Sequence, residues 1–286
     1  MIKVDCNYEI RKDIESFLEM EEISMLELSE MINISRPTLE EIVRTNTATK
    51  ENYEKIYSYI YEKKYRINKM KEELLKEKET NILFHGSKNG LEKINIENSR
   101  ENCDFGKGFY LGETYNQAVS FVCEKENSSV YSFKYDIKNL CIKKFECNLD
   151  WMLAICYYRG SLNSYNSSSK IEKIIKEIES ADVIIAPIAD NKMFFIMTQF
   201  VEGEINADVA LHSLSASSLG LQYVFKTNRA LNSLVPIERY YLSTEEKKDY
   251  VKILNERSYE INTKLKLSKR EFKNGLFIEE ILRWGS

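Results

Sequence analysis

Half of the ten glycines in this 286-residue chain fall between His85 and Gly112. One stands in "ILFHGS", three, from Asp104 onward, in "DFGKGFYLGET", and Gly90 lies between the two. Glycine is used where a backbone needs a positive φ or where another group must approach it closely. A chain this poor in glycine does not gather five of them beside one of its two histidines for loop flexibility alone. The cluster therefore marks a place where main chain, rather than side chain, lines something.

The chain is long enough for one or two domains. Residues 1 to about 80 read as helices. In "ISMLELSEMINISRPTLEEIVRTNTATKENYEKIYSYIYE", Leu26, Leu28, Ile32, Ile34, Leu39, Ile42 and Val43 recur at helical or turn spacing. Ser35 is a good N-cap, and Pro37 stands early in the next helix, where its missing N–H costs little. The stretch resembles a helix-turn-helix of the phage-repressor type, with Met25 to Met31 as its first helix and Arg36 to Arg44 as its second. A DNA reader presents basic side chains to phosphate. Here Arg36 and Arg44 share their helix with Glu40 and Glu41, and the first helix carries Glu27 and Glu30. Residues 1–80 hold 14 Lys and Arg against 18 Asp and Glu, a balance of −4 that equals the net charge of the whole chain. DNA binding therefore ranks below a docking module that meets a neutralising partner (an antitoxin) or a second copy of the chain. Residues 61–79, densely charged, read as a solvated connecting helix with Glu72 and Lys76 paired at i,i+4.

After Thr80 the texture changes. "NILFHGS", "SVYSFKYDI", "LCIKKFE", "DVIIAPI", "KMFFIMTQFV" and "LQYVFKT" read as strands. "YNQAVSFVCEK", "LDWMLAICYYR", "SKIEKIIKEIESA" and "NADVALHSLSASSL" read as helices between them. The mixture lacks a regular βαβ alternation, which points to an α+β domain over residues 81–242. Residues 243–286 read as a charged helical tail. No apolar run is long enough for a membrane span, and the opening residues lack a secretory stretch, so a cytoplasmic location is expected. The six cysteines form no C-x-x-C pair and read as reduced thiols, and with only two distant histidines the sequence offers no metal site.

"FHGS" and "FGKGFYLGETYNQAVSF" resemble the first two signature motifs of the PARP-like, diphtheria-toxin-type ADP-ribosyltransferases. "GLQYVFKT" is similar to the third, a strand that carries a catalytic glutamate, with Gln222 in the glutamate's place. "DVIIAPIADNKM" resembles a segment of an uncharacterised bacterial branch of that family. The resemblance covers residues 81–240, in three ordered motifs. It implies a split β-sheet core and NAD as the substrate. The bond broken would join nicotinamide to ribose through an oxocarbenium-like transition state. By resemblance, His85 would hydrogen-bond the adenosine ribose, and the main chain of Gly86, with Ser87 beside it, would receive the carboxamide. Tyr110 and Phe121 would stack on the nicotinamide, and Gly106 and Gly108 would keep their loop tight against the ligand. Arg100, just before the second motif, is a candidate for a phosphate of NAD.

Gln222 limits the chemistry. An amide can hydrogen-bond a ribose hydroxyl. It cannot deprotonate an acceptor, and it lacks the full negative charge that stabilises a sugar cation by roughly 3 kcal/mol. The resemblance thus implies a mono-ADP-ribosyltransferase acting on a macromolecular acceptor that is already nucleophilic, in a toxin-like or phage-defence setting. Asp104 and Glu113, flanking the second motif, are candidate substitute carboxylates. An NAD-sensing transcriptional regulator and an NAD glycohydrolase are the alternatives.

Overall fold

The computed structural model describes residues 2–162, 165, 168–215 and 219–283. A short strand β1 (Ile2–Lys3) precedes the helices α1 (Ile10–Glu21), α2 (Met25–Ile32), α3 (Arg36–Thr45), α4 (Lys50–Glu62) and α5 (Ile67–Lys78). Local chemistry sets these boundaries. Ser24 and Glu27 form a reciprocal capping box at the start of α2, and Ser35 accepts the Thr38 N–H at the start of α3. Asn33 and Asn46 close the two helices in the left-handed region. Leu28, Ile32, Ile34, Leu39 and Ile42 pack with Ile10, Ile14 and Phe17 of α1 and with Ile56 and Ile60 of α4 into one core. Leu26, which fits the same spacing, instead stays half exposed.

Helix α5 differs from the solvated connector that its charge suggests. It buries Ile67, Asn68 and Glu72. The Asn68 amide donates to the Tyr115 hydroxyl, the Tyr241 carbonyl and the Glu246 carboxylate. Glu72 accepts the Tyr115 N–H while it holds Lys76. Charged residues dominate the helix because only one narrow face needs to dock.

The remainder is α+β. In chain order it comprises β2 (Ile82–Ser87), β3 (Lys93–Ile94), β4 (Phe109–Gly112), α6 (Tyr115–Ser120), β5 (Ser129–Tyr135), β6 (Ile142–Lys144), α7 (Leu149–Tyr158), α8 (Ser169–Glu179), β7 (Val183–Pro187), α9 (Asn191–Val201), α10 (Ala207–Ser215), β8 (Leu221–Phe225), α11 (Asn228–Leu231), β9 (Leu234–Tyr241), α12 (Thr244–Glu271) and α13 (Ile278–Arg283). The main sheet runs β6-β7-β8-β4-β2-β5-β9, antiparallel apart from the β6–β7 pair. One face carries α7 to α10 over a core centred on Trp151, Ile184 and Val224, and α6 packs in a separate cluster with Phe84, Val130 and Tyr240. The other face holds Leu83, Phe109, Leu111 and Phe133 under Val4 and Ile94. The first residues of the chain thus belong to this second core, since β1 pairs with β3.

Two assignments made from pattern change. "KMFFIMTQFV" forms helix α9 rather than a strand. Asp190 caps its N-terminus by accepting the Met193 N–H, and Met193, Ile196, Met197 and Phe200 fall on one buried helical face. A short aromatic run imitates strand composition, while the cap and the 3.6-residue spacing decide. Strands β4 and β9 arise in segments whose patterns do not mark them, one too short and one carrying Pro236 on the sheet edge. The helix expected over "NADVALHSLSASSL" is α10 as far as Ser215, and residues 216–218 of that stretch lie outside those described. The tail is the long helix α12 followed by the short α13, and α12 packs against α4, α6, α9 and α10 and buries Ile261 and Leu265. Among the described residues, no helix is long and apolar enough to cross a membrane.

Candidate active site

The site is a break in the sheet. Strands β2 and β5 are paired from Ile82 to Ser87, and β4 and β8 from Phe109 to Gly112. Between β2 and β4 the ladder has one pair, Phe84 with Gly112. Hydrogen-bonding parity shows what faces the gap. The Tyr135 N–H donates to the Asn81 carbonyl, which makes odd-numbered residues of β2 the ones bonded to β5. Gly86 is in the alternate set, so its N–H and C=O point toward β4, where the ladder has already opened. They face Tyr110 across the split.

His85 fills part of this gap. Its Nδ1 lies 2.8 Å from the Tyr110 carbonyl oxygen, and its ring stacks on Phe109 at 4.4 Å. A carbonyl only accepts, so Nδ1 carries the proton and Nε2 keeps its lone pair. Burial pushes the imidazole down to about 4, against the opposing pull of that carbonyl. At neutral pH His85 is an uncharged ring that offers one acceptor.

The glycines have packing reasons of their own. A Cβ on Gly86 would sit 2.3 Å from the Ala118 carbonyl oxygen of α6. One on Gly108 would strike Val224 at 2.6 Å. Gly106 has φ +71° and lies under the Tyr158 ring. The close approach that the sequence signals is thus made by helix and side chains of the chain itself. At Gly86 it leaves the polar main-chain edge turned toward the split.

Tyr110 shares a sheet face with Gly86, Gly112 and Gln222, because register partners project to the same side. Its hydroxyl donates to the Gly106 carbonyl and accepts the Phe105 N–H, and burial raises the phenol well above its ordinary value. Phe121 closes α6 and is 57% exposed. It stands one turn from Ala118, at the Gly86 end of the helix. Ser87 donates to the Gly90 carbonyl within its own turn. Arg100 is exposed in the loop that leads to Asp104.

Gln222 is buried, with both amide hydrogens engaged: Nε2 lies 2.8 Å from Asp104 Oδ2 and 3.1 Å from the Pro187 carbonyl. Asp104 is itself buried and ion-paired to Arg159, whose Nε donates to Oδ1 at 2.8 Å. Arg159 also donates to the Ala189 carbonyl and lies over the Phe194 ring. Glu113 accepts the Leu221 N–H, and Gln117 holds the Leu219 carbonyl, so the loop entering β8 is tied to the start of α6. Both flanking carboxylates are therefore committed to holding structure, not standing free as bases. Arg159 escapes sequence reasoning because "CYYRG" looks like the polar end of an apolar helix. The available signal is that a buried arginine needs a carboxylate.

The mixed sheet, with a single β2–β4 pair beside a neutral histidine, belongs to an α+β domain. Residues 81–235 match the family described as "Protein of unknown function (DUF3990)", more than half of the chain, and the chain belongs to that family. No curated protein and no solved structure matches.

Proposed function

We propose that the chain is a mono-ADP-ribosyltransferase of the PARP-like kind, with NAD as its substrate. The observation that carries this reading is the split between β2 and β4, which turns the Gly86 main chain toward Tyr110 at a neutral His85. A carboxamide needs one donor and one acceptor side by side, and an extended glycine edge offers that pair. His85 Nε2 is an acceptor suited to a ribose hydroxyl. Phe121, exposed at the C-terminus of the helix that packs on Gly86 through Ala118 and Val122, would supply an aromatic face for the pyridine ring.

In the reaction the C–N bond between ribose and nicotinamide breaks, and its electron pair leaves with the neutral base. The sugar carries positive charge until an acceptor supplies a new pair. Gln222 Oε1 accepts a ribose hydroxyl but adds no charge. Asp104 is paired with Arg159 and Glu113 holds Leu221. The acceptor must then arrive with its own electron pair free, as a carboxylate, phosphate or thiolate does at neutral pH.

Incubation with adenylate-labelled NAD and cell extract tests the proposal. Label on a macromolecule together with released nicotinamide is the expected result. Free ADP-ribose with no labelled macromolecule would instead identify a glycohydrolase, and no nicotinamide release would end the transferase reading. The regulator alternative has a specific observation against it: Arg36 is paired with Glu40, and Arg44 with Glu41, on α3 itself. Salt-dependent duplex binding by the full chain would revive it.

A further inference from the structure

We infer that Asp104, clamped by Arg159, is a positioning residue that fixes the rotation of the Gln222 amide and directs Oε1 to the substrate. The inference rests on the transferase reading above and deepens it. A glutamine amide has two nearly isosteric orientations, and an unpartnered one would present N–H and C=O to a ligand interchangeably. Here both neighbours of Nε2 are obligate acceptors, a carboxylate oxygen at 2.8 Å and a carbonyl at 3.1 Å. Reversing the amide would set its oxygen against two other oxygens in a buried place, so one orientation remains. Arg159 meets the other carboxylate oxygen and holds it in place.

The same geometry explains why glutamine, and not the glutamate expected from the motif, occupies position 222. A carboxylate at that position would face Asp104 Oδ2 and the Pro187 carbonyl with no hydrogen to give. It would have to bind a proton or swing out of place. The site is thus built around an amide, and the Asp104–Arg159 pair is the part that selects it.

The test is a cycle on the full chain: Gln222→Glu, Asp104→Asn, and both together. Nicotinamide release from NAD is followed at neutral pH, with KM and kcat separated. The thermal unfolding midpoint is recorded against pH for each protein. D104N should lower kcat about tenfold or more with KM little changed, as expected for a misdirected transition-state contact. Q222E should be slower than wild type, with a midpoint that falls as pH rises through the carboxylate range. In the double variant the amide introduced at position 104 can donate to the carboxylate introduced at position 222. Release should then recover to wild type or above, and the pH-dependent loss should vanish. If Q222E alone matches or exceeds wild type, the clamp does not select the amide and the inference fails. If D104N leaves kcat unchanged, the positioning role fails. If wild type releases no nicotinamide, the transferase reading falls and takes the substrate-directed role with it. The pH-dependent midpoints would then judge only whether Asp104 and residue 222 are coupled.

Discussion

At Gly86 and Phe121 the two roles of the split can be separated by measurement. Gly86→Ala forces a Cβ to within 2.3 Å of a main-chain oxygen, so α6 must shift. A loss of about 1–3 kcal/mol in unfolding free energy is expected, the usual cost of overpacking a tight contact. Phe121 is exposed, so Phe121→Ala should change stability by less than about 0.5 kcal/mol. If its ring stacks on the pyridine, KM for NAD should rise about three- to tenfold, matching an aromatic contact of about 0.5–1.5 kcal/mol. Chemical denaturation and initial rates of nicotinamide release check the pair, and an unchanged KM would remove Phe121 from the site. His85 makes a separate prediction through pH. Its folded value of about 4 lies below the ordinary 6.5. Below pH 6.5 the unfolded chain takes up a proton that the folded chain refuses. The stability that His85 contributes is therefore complete above pH 6.5 and is lost as pH falls toward 4. His85→Gln retains a donor for the Tyr110 carbonyl, so the gap in midpoint between wild type and variant should shrink across that window. A gap independent of pH would mean that the ring is not held neutral by the fold.

Helices and strands were legible in the sequence wherever a cap or a period stood alone. Ser35 and Pro37 fixed the start of α3, and "LQYVFKT" gave β8. The aromatic run in α9 misled because composition and periodicity disagreed there, and the Asp190 cap lies just outside the run. Of the site, the ordered motifs located His85, Gly86, Tyr110 and Gln222 on three neighbouring strands, β2, β4 and β8. What no motif conveys is that Asp104 and Arg159, 55 positions apart, neutralise each other beside Gln222. Docking of α5 was hidden for a similar reason, since two of its three buried residues, Asn68 and Glu72, are polar. Glu246 of α12 shows the consequence. It accepts from the Tyr115 hydroxyl and from Asn68, and burial pushes its carboxyl up to about 7. A folded value above the ordinary 4.5 means that the contribution is complete below pH 4.5 and is lost as pH rises through 7. Glu246→Gln removes that loss. Relative to wild type, the variant should gain in thermal midpoint at pH 8 and show little difference at pH 5. A variant that loses stability equally at both would show that the hydrogen bonds, not the charge, dominate at this junction.

At the scale of the whole molecule, the N-terminal helices and the sheet domain are joined by a buried polar seam as well as by α12. Lys71 of α5 is its centre: Nζ lies 3.1 Å from Asp13 of α1 and 2.5 Å from Glu238 of β9, with the Tyr240 ring below it. The lysine and both carboxylates have side chains no more than 19% exposed, so each charge depends on the others. Around them, Glu54 accepts from the Tyr241 hydroxyl and the Thr244 N–H, and Tyr61 donates to Asp249. A seam of this kind couples the two parts, because undocking would expose one side and strand charges on the other. Lys71→Met removes the shared cation while preserving most of the side-chain volume. It leaves Asp13 and Glu238 facing each other without compensation, and a loss of about 3 kcal/mol is expected from breaking a buried pair by one partner. The added change Glu238→Gln should return part of that loss, since one of the two stranded charges is then gone. If the seam couples the parts, denaturant unfolding of wild type followed by fluorescence and by circular dichroism should give one coincident transition. In Lys71→Met the helical module should come free first, splitting that transition in two. A variant that unfolds in one step at the wild-type midpoint would show that α12 alone holds the parts together.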